Sequence, residues 1–253
     1  MSDTTGFKDH FSTLAGDYTR YRPGYPAELF AWLAAQTAGH DSAWDCGCGN
    51  GQASVGLTPF YRRVLATDPS RQQIDNARPH EQISYRVAPA EQSGLEDGCI
   101  DLVLVAQALH WFDFDRFYAE VRRVIRPGGV LAAVSYGELR VEGAPDPVVS
   151  HFYHRIVGPY WPPERKYVDE GYAGIPFPFP RLDAPPFAMQ ADWNLEQLLG
   201  YLGTWSAVKE YKLQQGSDPR ELLMEELRAA WGDAEQTRRI SWPLTLLVGR
   251  VRE

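Results

Sequence analysis

Ser42-Ala43-Trp44-Asp45-Cys46-Gly47-Cys48-Gly49-Asn50-Gly51-Gln52 is the stretch on which the reading of this chain turns. Its first five residues form a short apolar run and glycines follow at once, so a buried strand running into a tight turn is predicted. Glycine lets the backbone bend sharply and lets a ligand approach with no Cβ in the way. A dinucleotide fingerprint would need its third glycine at position 52, where Gln52 stands. A phosphate-cradling loop would need a Gly-Lys pair, and the chain has none. Asp45 sets a negative charge at the start of the loop. A ligand carrying positive charge suits that loop better than one carrying several negative charges.

The flanking sequence repeats the strand-then-helix pattern. Residues 27–36 read as a helix with Leu29, Phe30 and Leu33 on one face. Short apolar runs at 63–67, 83–87, 100–105 and 130–135 read as further strands. The run Ile100-Asp101-Leu102-Val103-Leu104-Val105 has the near-continuous hydrophobicity of a central parallel strand. Ser70 is placed to cap a helix, and a helix over 115–125 is predicted to stop at Arg126-Pro127-Gly128-Gly129. Strands separated by helices imply right-handed crossovers and a mainly parallel sheet. The expected fold is therefore α/β, a doubly wound Rossmann-like sheet.

After Tyr136 the pattern changes. Eight prolines and seven aromatics crowd residues 159–187, too apolar for a linker and too proline-rich for a long helix. An ordered cap over residues 140–190 is expected, between a core at 41–136 and a C-terminal part at 191–253. Residues 1–40 are expected to form an N-terminal helical segment, all within one domain of 253 residues. Helical patterns return at 195–201 and 221–231, and 239–251 reads as a closing strand.

The net charge is −8, which argues against a broad nucleic-acid or anionic-membrane surface. The N-terminus lacks the pattern of a signal peptide, and the most apolar stretch, 100–112, is too short to span a bilayer. Three cysteines make no disulfide framework, and Cys46 and Cys48 have no second ligand pair for zinc. A cytoplasmic protein with no metal, no nucleic-acid partner and no membrane partner is expected.

Asp68 ends the second strand, 17 residues beyond Gly51, where it faces the crevice at the carboxyl ends of the strands. A carboxylate there can accept both hydroxyls of a ribose. Ala90-Glu91 follows the third strand, where it can border an adenine, and Ala106-Gln107 follows the fourth. Asp-x-Gly-x-Gly-x-Gly from Asp45, together with Asp68, Ala90-Glu91 and Arg126-Pro127-Gly128-Gly129, resembles the motif series of class I S-adenosylmethionine-dependent methyltransferases. Phe11-x-x-x-Ala15-x-x-Tyr18, Arg22-Pro23-x-Tyr25-Pro26, Ala108-Leu109-His110-Trp111-Phe112-Asp113 and Thr204-Trp205-Ser206 resemble the trans-aconitate methyltransferase-like branch.

That resemblance implies a seven-stranded sheet and S-adenosylmethionine as cofactor. It sets Gly47, Cys48 and Gly49 against the methionine portion, with Asp45 near the ammonium and Tyr18 and Arg22 at the same end. Asp68 would take the ribose, Ala90 and Glu91 would flank the adenine, and Ala106 and Gln107 would close the crevice. Methyl transfer from a sulfonium is an in-line displacement in which alignment does much of the work. The acceptor expected is a small molecule, with a carboxylic acid as one option. His110 is the candidate catalytic residue, as a general base. Its other reading is a packing histidine that fixes the Trp111 loop. Trp111, Tyr136, Tyr153, Trp161 and Trp205 are candidates for the pocket wall, with core packing as the alternative for each. His151 and His154 lack a third ligand. A non-catalytic cofactor-binding or sensor protein is the rival function, and oligomeric state is left open.

Overall fold

The protein is described by a computed structural model covering residues 23–251. In it, β1 (Ser42–Cys46) is buried along its whole length. Trp44 Nε1 donates to Thr67 Oγ1 of β2 (Arg63–Asp68) at 2.9 Å, so the polar atom of this buried indole is satisfied. With β3 (Ile83–Val87), β4 (Ile100–Ala106) and β5 (Ile125–Tyr136) these strands form a parallel set in the order β3-β2-β1-β4-β5. The chain leaves β1 toward β2 on one side, while β4 lies on the other. A crevice opens at the carboxyl ends where the order reverses.

Among the described residues the sheet has eight strands, one more than expected. The cause is the length of β8 (Arg238–Arg250), which is 13 residues and serves two partners. Residues 244–250 pair antiparallel with β5, and 238–243 pair with β7 (Ala188–Trp193). Ser241 and Ile240 also pair with β6 (Arg140–Val141) on the opposite edge.

Asp101 explains a second departure. It is a carboxylate in apolar β4, 4% exposed, and Arg126 Nη1 lies 3.0 Å from both its oxygens. Its Oδ2 also accepts from Asp41 N at 2.9 Å and Ser42 N at 2.8 Å, which fixes the start of β1. Arg126-Pro127-Gly128-Gly129 therefore lies inside β5 rather than forming a loop before it, at the cost of a register shift between Ile100 and Leu102.

Helices cover the sheet much as their periodicity predicts. In α1 (Ala27–Ala35) Leu29, Phe30 and Leu33 are buried. A short helix follows β1 (α2, Gln52–Leu57), and Ser70 caps α3 (Arg71–Asp75) by accepting from Gln73 N. Asp113 caps α4 (Phe114–Val124) by accepting from Arg116 N. Beyond β6, α5 (Pro145–His151) runs into a π-helical turn, Phe152–Ile156, and α6 (Arg165–Asp169) is a single short turn. After β7 come α7 (Leu195–Gly203), with a capping box at Asn194, then α8 (Ser206–Gln215) and α9 (Met224–Trp231).

The proline-rich stretch is ordered and divides among three apolar clusters, Leu182 and Phe187 joining the one that holds Val64, Leu102 and Val248. Val168, Tyr172, Ile175 and Phe179 pack with Phe117 and Tyr118 against the sheet. Phe152, Tyr153, Trp205, Trp231 and Trp242 centre a second cluster, beneath α5, α7 and α9. No helix among the described residues is long and apolar enough to cross a membrane.

Candidate functional site

The carboxyl ends of β1, β2 and β4 open on one cavity of about 860 Å³. Its near wall is the glycine loop. Gly47, Gly49 and Gly51 have φ of 72°, 55° and 83°, all in the left-handed region that favours glycine. Gly47 N and Cys48 N both donate to Thr67 O, at 2.8 and 3.0 Å, which folds the loop back over β2. Asp68 then ties the loop to the next turn. Its Oδ2 accepts from Gly49 N at 2.8 Å and its Oδ1 from Ser70 N at 2.9 Å. The side chain still reaches the cavity.

The far wall is aromatic. Trp111, Tyr136, Tyr153, Trp161 and Trp205 all line the cavity. Tyr136 is set by Gln107, a non-glycine residue with φ of 59°. The Gln107 side chain donates from Nε2 to Tyr136 O at 2.9 Å and accepts at Oε1 from Tyr136 N at 3.0 Å. Tyr153 sits on the π-helical turn, where its ring meets Trp161 at 5.1 Å and Trp205 at 5.4 Å. His110 is 8% exposed, and its Nδ1 lies 3.0 Å from Tyr172 Oη. Tyr172 has φ of 60°, so strained backbone supports the contact. Burial, helped by the charge of Arg165, lowers the His110 pKa to about 3. The ring is neutral at pH 7.

Sequence reasoning and structure meet at Gly47, Cys48, Gly49, Asp68, Ala106, Gln107, His110 and the five aromatics, which share this one cavity. Three other residues lie off its lining. Asp45 is wholly buried beneath the loop. Ala90 packs with Leu95 and Phe117, and Glu91 Oε1 accepts from Asp113 N at 2.9 Å. The turn after β3 is bound to α4, where Glu120 Oε1 accepts from Ser93 N at 2.9 Å. Tyr18 and Arg22 lie outside the described residues. His154 Nε2 faces Glu138 Oε2 at 3.2 Å, and no metal-ligand cluster occurs among the described residues. Arg165, Tyr172, Ser70 and Gln73 escaped sequence reasoning. Only Ser70 carried a signal, and it pointed to a helix cap.

Three features fit a sulfonium nucleoside with an amino-acid tail. Asp45 Oδ2 accepts from Ser54 Oγ at 2.5 Å, while Oδ1 is buried with no hydrogen-bond partner. Burial, reinforced by the charge of Asp68, raises the Asp45 pKa to about 7 despite the Ser54 bond. An ammonium close to the loop would relieve that unsatisfied carboxylate. A Cβ on Gly49 would meet only Gln73 Oε1, at 3.9 Å, so the loop is bare where a ligand would lie. Asp68 presents a carboxylate at the carboxyl end of β2, where a ribose would sit.

Comparison with known proteins agrees. A methyltransferase-domain family model matches residues 44–133. A methyltransferase assigned by inference in Dictyostelium discoideum is 32% identical over 239 residues, 91% of each chain. An uncharacterized methyltransferase of Mycobacterium tuberculosis is 39% identical over 125 residues, about half of each chain (49% of this one and 51% of the other). Among solved structures, a protein of Anaeromyxobacter dehalogenans provisionally described as a type II methyltransferase superposes with a TM-score of 0.88. It is 49% identical, with 92% of this chain and 99% of that one covered. The chain belongs to the class I S-adenosylmethionine-dependent methyltransferases. Its cofactor is S-adenosylmethionine.

Proposed function

We propose that this enzyme methylates a small-molecule carboxylic acid held between the glycine loop and the aromatic wall, in the manner of the trans-aconitate methyltransferase-like branch. The observation that carries the reading is the cavity itself. A single space of about 860 Å³ reaches from Gly49 and Asp68 to Trp161 and Trp205, room for a cofactor and a modest acceptor together. In this reading Gly47, Cys48, Gly49, Ala106 and Gln107 hold the cofactor from the sheet side, with Asp68 on the ribose. Asp45 lies one layer below the ammonium. Trp111, Tyr136, Tyr153, Trp161 and Trp205 wall the acceptor, and aromatic faces also attract a sulfonium.

His110 favours an acceptor that arrives already ionised. A ring held near pKa 3 takes up a proton poorly, so it suits a carboxylate nucleophile, which needs no base, better than an alcohol. Its role is to orient the acceptor through a neutral ring nitrogen. The net charge of −8 supports a small acceptor over a nucleic acid, and three free cysteines support a reducing, cytoplasmic setting.

Two measurements test this. Screening small acids with methyl-labelled cofactor should yield a methylated product; turnover on protein or nucleic acid alone would overturn the reading. Replacing Asp68 with Asn should weaken cofactor binding by calorimetry about tenfold, one charged hydrogen-bond pair's worth. Unchanged affinity would remove the ribose assignment.

A further inference from the structure

We propose that Arg165 is the anchor that selects the acceptor, gripping a carboxylate with the two Nη groups of its guanidinium. The proposal rests on the small-molecule reading above and adds the residue that reads the acceptor's charge. Arg165 opens α6 and lines the cavity, with 16% of its side chain accessible. It lies over Trp161 at 4.6 Å and beside Tyr153 at 5.4 Å, measured from Cζ to each ring centroid. Its Nε donates to Tyr153 Oη at 2.8 Å and to Asp169 Oδ1 at 3.2 Å. Tyr153 Oη in turn donates to Asp169 Oδ1 at 2.5 Å. One edge of the guanidinium is thereby spent on holding its orientation.

The remaining edge is the informative one. Neither Nη hydrogen-bonds any described residue, although Glu164 and Glu210 line the same cavity. An arginine serving only an i,i+4 ion pair would turn its Nη edge to the carboxylate. Here Asp169 meets Nε alone. A planar guanidinium flanked by aromatic rings and pinned at Nε presents a fixed fork, matched to the two oxygens of a carboxylate. Donors held this way discriminate strongly, because a ligand without the matching acceptors leaves them unpaired. The field of Arg165 also reaches His110, which lies on the same wall and is held neutral in part by that charge.

The test compares acids with their uncharged isosteres. Benzoate, phenylacetate, cinnamate and succinate are offered with methyl-labelled cofactor to the wild-type protein, Arg165→Gln and Arg165→Lys, and the amide of each acid is titrated as a competitive inhibitor. Cofactor affinity and melting temperature are measured alongside. At least one acid should be turned over with a KM about tenfold below the inhibition constant of its amide, the advantage shrinking to within about twofold in Arg165→Gln. Arg165→Lys should restore part of it, since it keeps the charge and loses the fork. Cofactor affinity should stay within about twofold throughout, as expected of a residue outside the cofactor's contacts. Amides that bind as tightly as the acids, or an acid preference untouched by Arg165→Gln, would overturn the anchor and leave the small-molecule reading standing. A parallel loss of cofactor affinity would reassign Arg165 to the cofactor. No turnover of any small molecule would remove the reading and the anchor together.

Discussion

Gly47, Gly49 and Gly51 share a left-handed backbone and differ in what surrounds them. A Cβ on Gly47 would lie 2.6 Å from Ala108 Cβ, and one on Gly51 would strike the Tyr85 ring. A Cβ on Gly49 would touch only Gln73 Oε1, at 3.9 Å. Gly47→Ala and Gly51→Ala should therefore each lower stability by about 2–4 kcal/mol, overpacking added to left-handed strain. Gly49→Ala should cost only about 1–2 kcal/mol, the strain alone, yet weaken cofactor binding. Chemical denaturation and calorimetry separate the two effects. Asp45 and His110 form a second contrast, in proton uptake. His110 ionises near 6.5 when unfolded and about 3 when folded, so the unfolded chain binds the extra proton in that window. Its contribution to stability is lost as pH falls from about 6.5 toward 3. Asp45 moves the other way, from 3.8 unfolded to about 7 folded, so its contribution is lost as pH rises through that window. Between pH 4 and 6.5 the two slopes oppose each other. Replacing Asp45 with Asn should unmask a steeper loss of stability on acidification, by up to ~1.4 kcal/mol per pH unit. Denaturant midpoints across pH 4 to 7 measure it.

β8 contributes side chains to all three apolar clusters. Trp242, fully buried in the cluster beneath the cap, donates from Nε1 to Tyr201 Oη at 2.9 Å. Val248, on the same strand, is buried with Leu102 and Ala132 of the parallel sheet. Trp242→Ala should cost about 3–5 kcal/mol by thermal or denaturant unfolding. The parallel strands and their helices were legible in the sequence because buried strands declare themselves by unbroken apolar runs. Ser42–Cys46 and Ile83–Val87 have the expected bounds. The doubled partnership of β8 was not legible, since a 13-residue run reads as one strand whichever neighbours share it. The site was legible where backbone conformation demands a residue type, as at Gly47 and Gly49. It was not where tertiary contacts assign the role. Nothing near Pro162-Pro163-Glu164-Arg165 distinguishes that arginine from a surface one. Ala90 and Glu91 follow the family's motif, yet Ala90 packs with Leu95 and Phe117, Glu91 accepts from Asp113 N, and neither lines the cavity.

At the scale of the whole molecule, cofactor binding and stability are one equilibrium. The loop from Gly47 to Gly51 and the turn at Ser70 are joined through Asp68, so a ligand bound there acts on the folded state alone. S-adenosylmethionine at one hundred times its Kd should add about 2.7 kcal/mol to unfolding, seen as a melting temperature that climbs with ligand concentration. In Asp68→Asn the same rise should need about tenfold more ligand.

The place of β8 in the chain has a consequence for how the protein is made. Every strand it pairs with precedes it, so a chain growing from its N-terminus completes β5, β6 and β7 while their shared partner is still unsynthesised. Until residue 250 emerges, the buried edge of β5 has no ladder to join, and the second cluster lacks Ile240 and Trp242. The nascent chain carries an open, apolar sheet edge while residues 137–243 are made, a state that invites association with other chains. One long strand that follows all its partners thus closes the parallel sheet and the second cluster together.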